Sequence, residues 1–197
     1  MVDPRFPKQP HSLTLPPRVL GVRRRMPHLI LGPLLVVAVA GGCAHAPVPA
    51  VTEVQLHEPL PGLYTSGQPA PGDWRVLKAR GVRTVVDLRL PGELKGRDEA
   101  AEVRAAGLRY VNIPVEGGKG LTEANARALH AVLAPAHGGV LVHCSSGNRA
   151  GALLALEQER FDALPPARAL QLGEQAGVTG LRGTLRGVLG LDAPEAK

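Results

Sequence analysis

The 197 residues read as a three-layer α/β domain, in which a central, mainly parallel sheet of four to five strands is flanked by helices. Three observations predict this. Short runs at 84–89 and 108–113, bounded by turn residues, have the length of strands, and the apolar run at 140–142 reads as a buried one. Segments with helical spacing of apolar residues lie between them, so each connection is a right-handed strand–helix–strand crossover joining parallel neighbours. The last of these strands breaks after Cys144 into the tight polar loop Ser145-Ser-Gly-Asn148, and a further helix starts at Arg149. Open parallel sheets bind ligands at such carboxyl ends of strands.

From the N-terminus, residues 1–25 are Pro-rich, lack hydrophobic periodicity and end in Arg23-Arg24-Arg25. Residues 28–40 are apolar but too short for an ordinary membrane span, and the small residues Ala40-Gly41-Gly42 precede Cys43. Basic, apolar and small segments in that order are a secretory signal. A cysteine directly after the small residues resembles the lipobox of bacterial lipoproteins. That resemblance implies removal of residues 1–42, lipidation of Cys43 and a membrane attachment at the bacterial cell envelope, facing the periplasm or the exterior. The alternatives are a signal cleaved without lipidation or one retained as an anchor. Met26 is a second candidate start, which would place the basic triplet outside the protein.

The leader also explains the charge. The chain carries a formal +6, yet residues 1–42 hold six basic side chains against Asp3 alone, leaving 17 basic and 16 acidic residues beyond. With no cluster of Lys/Arg interleaved with aromatics in the folded part, nucleic-acid binding is excluded as an expectation. Aromatics are so scarce that the core must be built from Leu, Val and Ala.

Residues 43–61 are Pro- and Ala-rich and read as a flexible tether; the folded domain is expected over 62–191, with a fraying tail at 192–197. Within the domain, 64–69 form a short strand and turn, and 71–80 a helix stopped by Gly81. The strand at 84–89 is closed by Pro91-Gly92. An amphipathic helix over 98–106 ends at Gly107, and the strand at 108–113 ends at Pro114. Thr122 caps a helix to about 133 that turns Leu129 and Val132 inward, and 135–139 return the chain to the strand at 140–142. From Arg149 a helix presents Leu153, Leu154 and Leu156; two more helices, seeded by Pro166 and by Thr179-Gly180, end near Leu191.

The loop at 144–149 carries the chemistry. A helix N-terminus offers unpaired N–H groups and the positive end of the helix dipole, which attract anions, a thiolate included. Gly147 permits the positive φ that aims successive N–H groups inward, and Arg149 supplies a planar fork for an oxyanion. Cys144 is the candidate nucleophile at the base of this cradle, and Ser145, Ser146, Gly147, Asn148 and Arg149 are the candidate oxyanion-binding residues. The alternative for Cys144 is an inert buried thiol at a strand end. Lipidation of Cys43 would leave Cys144 unpaired in an oxidising compartment, which favours a thiol kept for chemistry.

Around the loop, Asp87 and Arg89 sit at a neighbouring strand end, where they could orient Arg149 or touch substrate, or else pair within the scaffold with Glu93. His143 has no second His or carboxylate at ligand spacing in the sequence, so no metal is expected; it reads as polarising the loop. No cofactor is expected either.

His143-Cys144 to Arg149, preceded by Tyr64-Thr-Ser-Gly-Gln-Pro69, Gly81-Val-Arg-Thr-Val-Val-Asp-Leu-Arg89 and Asn112-Ile-Pro114, resembles the bacterial dual-specificity-phosphatase-like domains, close to the beta-lactamase-hydrolase-associated phosphatase-like group. The resemblance covers roughly residues 60–160. It implies a cysteine-phosphatase fold, Cys144 as nucleophile and Arg149 as phosphate binder. Three departures stand out. Tyrosine and dual-specificity phosphatases place five residues between Cys and Arg, whereas four intervene here, a length familiar in rhodaneses and in some members of the phosphatase-like group. The Ser or Thr that usually follows the Arg is Ala150. The loop that usually carries an Asp general acid, 115–120, has none; Glu116 is the nearest substitute, with a merely solvated carboxylate as the alternative.

The expected reaction is hydrolysis of a phosphate ester through a phosphocysteine on a phosphorylated or other oxyanion substrate. Two rivals remain open: sulfur transfer through a Cys144 persulfide, which needs no general acid, and a non-catalytic module that binds an anionic ligand.

Overall fold

Alternation of apolar strands with capped helices gives, in the computed structural model of residues 54–192, eleven elements. They are β1 (His57–Leu60), β2 (Leu63–Ser66), α1 (Asp73–Ala79), β3 (Val82–Asp87), α2 (Glu99–Ala105), β4 (Arg109–Asn112), α3 (Glu123–Leu133), β5 (Gly139–His143), α4 (Asn148–Phe161), α5 (Pro166–Gln175) and α6 (Arg182–Val188). The five strands form one sheet in the order β1-β2-β5-β3-β4. Only the β1–β2 pair is antiparallel; β2–β5, β5–β3 and β3–β4 are parallel. The three-layer, mainly parallel α/β architecture is therefore as expected, and β5 lies at its centre.

Regular structure is present within the stretch the sequence suggested was a tether. β1, within the stretch read as tether, pairs with β2 as an edge strand, where Pro59 forfeits no interior ladder bond. The expected signal sequence, the lipidation site Cys43, residues 43–53 of the tether and residues 193–197 of the tail lie outside the described residues.

Side chains alternate across the sheet and divide the core in two. Val140 and Val142 of β5 and Cys144 just after it pack with Leu129, Val132, Leu153, Leu154 and Leu156 from α3 and α4. Leu141 points the other way, toward Trp74 and Leu77 of α1 and Val103 of α2. In β3 a register irregularity between Val82 and Thr84 breaks the strict period, so Val82 and Val85 both join the second cluster.

Local capping decides the helix starts. The Asp98 side chain accepts the Ala101 N–H at 2.9 Å, and the Thr122 hydroxyl accepts that of Asn125 at 3.2 Å. On α4, Gly151 permits close approach to α5: a Cβ there would lie 2.9 Å from the carbonyl oxygens of Gly173 and Ala176. That contact fixes α4, and with it the loop that α4 terminates.

Candidate active site

The central strand delivers Cys144 to its carboxyl end, and the chain turns through Gly147 at φ 91° into α4. Cys144 is fully buried, and its Sγ accepts the Gly147 N–H at 3.2 Å. The back of the loop is stitched to the end of β2. Ser66 O accepts from Cys144 N at 3.4 Å, Ser145 O accepts from Gln68 N at 3.2 Å, and Gly67 pairs with Ser146. Gly67 allows this approach, because a Cβ there would sit 3.2 Å from the Ser145 carbonyl oxygen.

Arg149, in the first turn of α4, folds back over the loop. Its Nη1 donates to Val115 O at 3.1 Å and reaches Leu88 O at 3.4 Å, so the ends of the segments following β3 and β4 both hold the guanidinium. Nη1 and Nη2 each donate to one oxygen of Glu93 at 2.7 Å, and Nη2 also donates to Ser145 Oγ at 3.1 Å. The Glu93 hydrogen bonds, foremost, and the sulfur of Cys144 keep Arg149 protonated above the ordinary arginine range. Arg149 in turn holds the Glu93 carboxyl down at about 2, assisted by the Leu90 N–H and the Ser145 hydroxyl.

Residues 144–147 thus form a short loop and Asn148 and Arg149 open α4, but not every side chain of 144–149 faces the cradle. Ser145 and Ser146 are exposed, and Ser145 Oγ donates to Glu93 Oε2 at 2.9 Å. Asn148 turns away: its Oδ1 accepts the N–H of Thr179 at 2.8 Å and of Leu181 at 3.3 Å, and its Nδ2 donates to Thr179 Oγ1 at 3.0 Å. Its side chain pins the segment between α5 and α6 to the loop. Glu116 is exposed and enters no ion pair among the described residues. The bond from Arg149 to the preceding residue, Val115, brings it to the rim of the site.

Asp87, Arg89 and His143 form a different assembly. Strand alternation puts His143 on the face opposite Cys144, where its ring lies 6.3 Å from that of Trp74 and its Nε2 is 2.8 Å from Glu99 Oε1. It does not polarise the loop; the period of two carries it away. Arg89 pairs with Asp87 at 2.6 Å and with Glu99 at 2.8 Å, not with Glu93, and Tyr110 OH donates to Asp87 Oδ2 at 2.8 Å. Neither Asp87 nor Arg89 touches Arg149. Burial opposes the Asp87 charge, yet Arg89, His143 and Tyr110 hold its carboxyl below the ordinary range.

The sequence showed no carboxylate at ligand spacing from His143, but the fold supplies two: ligand atoms of Asp87, Glu99 and His143 lie within 4.8 Å of one another. Arg89 already delivers positive charge to both carboxylates there. A second group, His130, Glu157 and Asp162, lies at the outer end of α4, with His130 Nδ1 2.8 Å from Glu157 Oε1.

Glu93 entered the sequence reading only as a scaffold partner for Asp87 and Arg89, and Glu99 did not enter it at all. Glu93 follows the Pro91-Gly92 turn at a strand's carboxyl end, a place that could have marked it as facing the loop. Glu99 is buried in the first turn of α2, where nothing but its burial distinguishes it from a solvated acid.

Comparison with known proteins fits this geometry. The model of the phosphatase-like domain of beta-lactamase hydrolase-like proteins matches residues 59–160. A beta-lactamase hydrolase-like protein of Xylella fastidiosa strain Temecula1 is 38% identical over 123 residues, which cover 56% of this chain and 28% of that protein. One from Agrobacterium fabrum strain C58 is 38% identical over 98 residues, covering 48% and 22%. The chain therefore spans about a quarter of the length of these relatives. Among solved structures, a candidate phosphatase from Shewanella putrefaciens CN-32 superposes with a TM-score of 0.54 at 26% identity, over 71% of this chain and 87% of that one. TpbA of P. aeruginosa shares the fold with a TM-score of 0.54 at 21% identity, over 71% and 86%. On the family match, the central cysteine loop and the shared fold, this chain belongs to the phosphatase-like domain family of the beta-lactamase hydrolase-like proteins.

Proposed function

We propose that the domain is a cysteine-dependent phosphatase that hydrolyses phosphate esters, with Cys144 as nucleophile and Arg149 as the oxyanion holder. The observation that carries this is the contact from Gly147 N–H to Cys144 Sγ at 3.2 Å at the start of α4, with Arg149 folded over the same loop. A sulfur that already accepts a backbone N–H at a helix N-terminus sits where negative charge is favoured.

In the first step Cys144 thiolate attacks phosphorus, a P–S bond forms, and the ester P–O bond breaks. Loop N–H groups and Arg149 hold the equatorial oxygens as charge spreads over them. The leaving oxygen takes a proton from an acid, for which Glu116 at the rim is the candidate. Water then attacks phosphorus, the P–S bond breaks, and inorganic phosphate leaves as the thiolate is restored. The structural neighbour TpbA is seen in complex with pTyr, so a phosphorylated phenol is the first substrate to try. Export and lipidation at Cys43 are part of the proposal on sequence grounds; the mass of the mature N-terminus tests them.

The test assays the full chain on an aryl phosphate and on thiosulfate with cyanide. Phosphate release that is lost in both Cys144→Ser and Arg149→Lys supports hydrolysis. Thiocyanate formation without phosphate release would replace it with sulfur transfer, and anion binding with neither product would leave a binding module.

A further inference from the structure

Arginine has five N–H donors, four of them on Nη1 and Nη2. In Arg149 these four face five acceptors: both oxygens of Glu93, Ser145 Oγ and the carbonyls of Val115 and Leu88. The two terminal nitrogens make the same parallel, charge-assisted pair with Glu93 that they would make with two oxygens of a phosphoryl group. The Ser145 hydroxyl also donates to Glu93, and Cys144 beneath is wholly covered.

We infer that Glu93 is a built-in stand-in for the substrate oxyanion: its carboxylate occupies the guanidinium of Arg149 and is exchanged for the phosphoryl group on binding. The inference rests on the reading of Arg149 as the anion holder. It deepens that reading by making substrate binding a displacement.

The rest of the site is consistent with a removable carboxylate. Glu93 lies in the turn after β3, its side chain is 27% exposed, and its other ties are to Ser145 and to the Leu90 N–H at 2.7 Å. Exchange also avoids a like-charge clash, because a phosphoryl group added beside a resident carboxylate would place two anions on one guanidinium. A tethered carboxylate competes at the high effective concentration of an intramolecular group. A singly charged anion therefore gains little by replacing it, whereas a phosphoryl dianion brings a second charge. The closed form lowers apparent affinity in proportion to the fraction of molecules in which Glu93 is seated.

The experiment measures binding of inorganic phosphate to the full chain by calorimetry, for wild type, Glu93→Gln and Glu93→Ala, with thermal unfolding as a check on folding. Both variants are expected to bind phosphate about tenfold more tightly than wild type, the seated carboxylate having been removed. Unchanged, weaker or undetectable binding in both variants overturns the inference and makes Glu93 a positioning residue that aligns Arg149. The readout is independent of turnover. Tighter binding in a chain that releases no phosphate from esters keeps the exchange and removes the phosphatase, whereas hydrolysis without tighter binding does the reverse.

Discussion

The two carboxylate oxygens of Glu93 and the two terminal nitrogens of Arg149 meet pairwise at 2.7 Å, although 56 residues separate them in the chain. This pair joins the segment after β3 to the start of α4, across the C-terminal edge of the sheet.

The pair carries a pH signature. Glu93 has a folded-state value near 2 against an ordinary 4.5, because Arg149 stabilises its charged form. A depressed carboxyl contributes stability that is fully present above its unfolded value and is lost as pH falls through the folded one. Wild type is therefore expected to be more stable than Glu93→Gln at pH 7, with the difference closing between about 4.5 and about 2. Urea denaturation across that range measures it, and a gap that persists at the acid end would place its origin elsewhere.

Gly147 adopts φ 91°, while a Cβ at this position would meet nothing nearer than 3.5 Å. The cost of Gly147→Ala is thus conformational and not steric, about 1–3 kcal/mol for a non-glycine residue held in the left-handed region. Thermal unfolding should show that loss, accompanied by weaker phosphate binding as the loop relaxes. A variant as stable as wild type would mean that the loop accepts another conformation without strain.

Glu99 is buried, with Arg89 at 2.8 Å and Gln68 Nε2 donating at 2.6 Å. Truncation in Glu99→Ala leaves Arg89 with Asp87 as its remaining carboxylate partner and strips His143 of its nearest polar neighbour. Breaking a buried pair from one side costs about 3–5 kcal/mol. A much smaller loss in equilibrium unfolding would show that water or Gln68 takes the vacated place.

If Glu116 protonates the leaving oxygen, Glu116→Gln slows hydrolysis of an alkyl phosphate by about 100-fold or more while barely affecting a nitrophenyl phosphate, whose leaving group needs no proton. Equal rates on the alkyl substrate would remove Glu116 from the mechanism.

The amino-acid sequence by itself determined the strand–loop–helix at 140–156, the capping of α3 by Thr122, and the parallel α/β class. These are local properties: apolar period, capping side chains and a glycine at a left-handed turn act over a few residues. The tertiary structure decided what surrounds the loop. The order β1-β2-β5-β3-β4 brings Glu93 to Arg149, and strand alternation sends His143 away from Cys144 to Glu99. Edge pairing recruits β1 from an apparent tether, and Asn148 is spent on Thr179. Each depends on contacts between residues distant in the chain, whose partners are chosen by strand order and register, and neither periodicity nor capping encodes that choice.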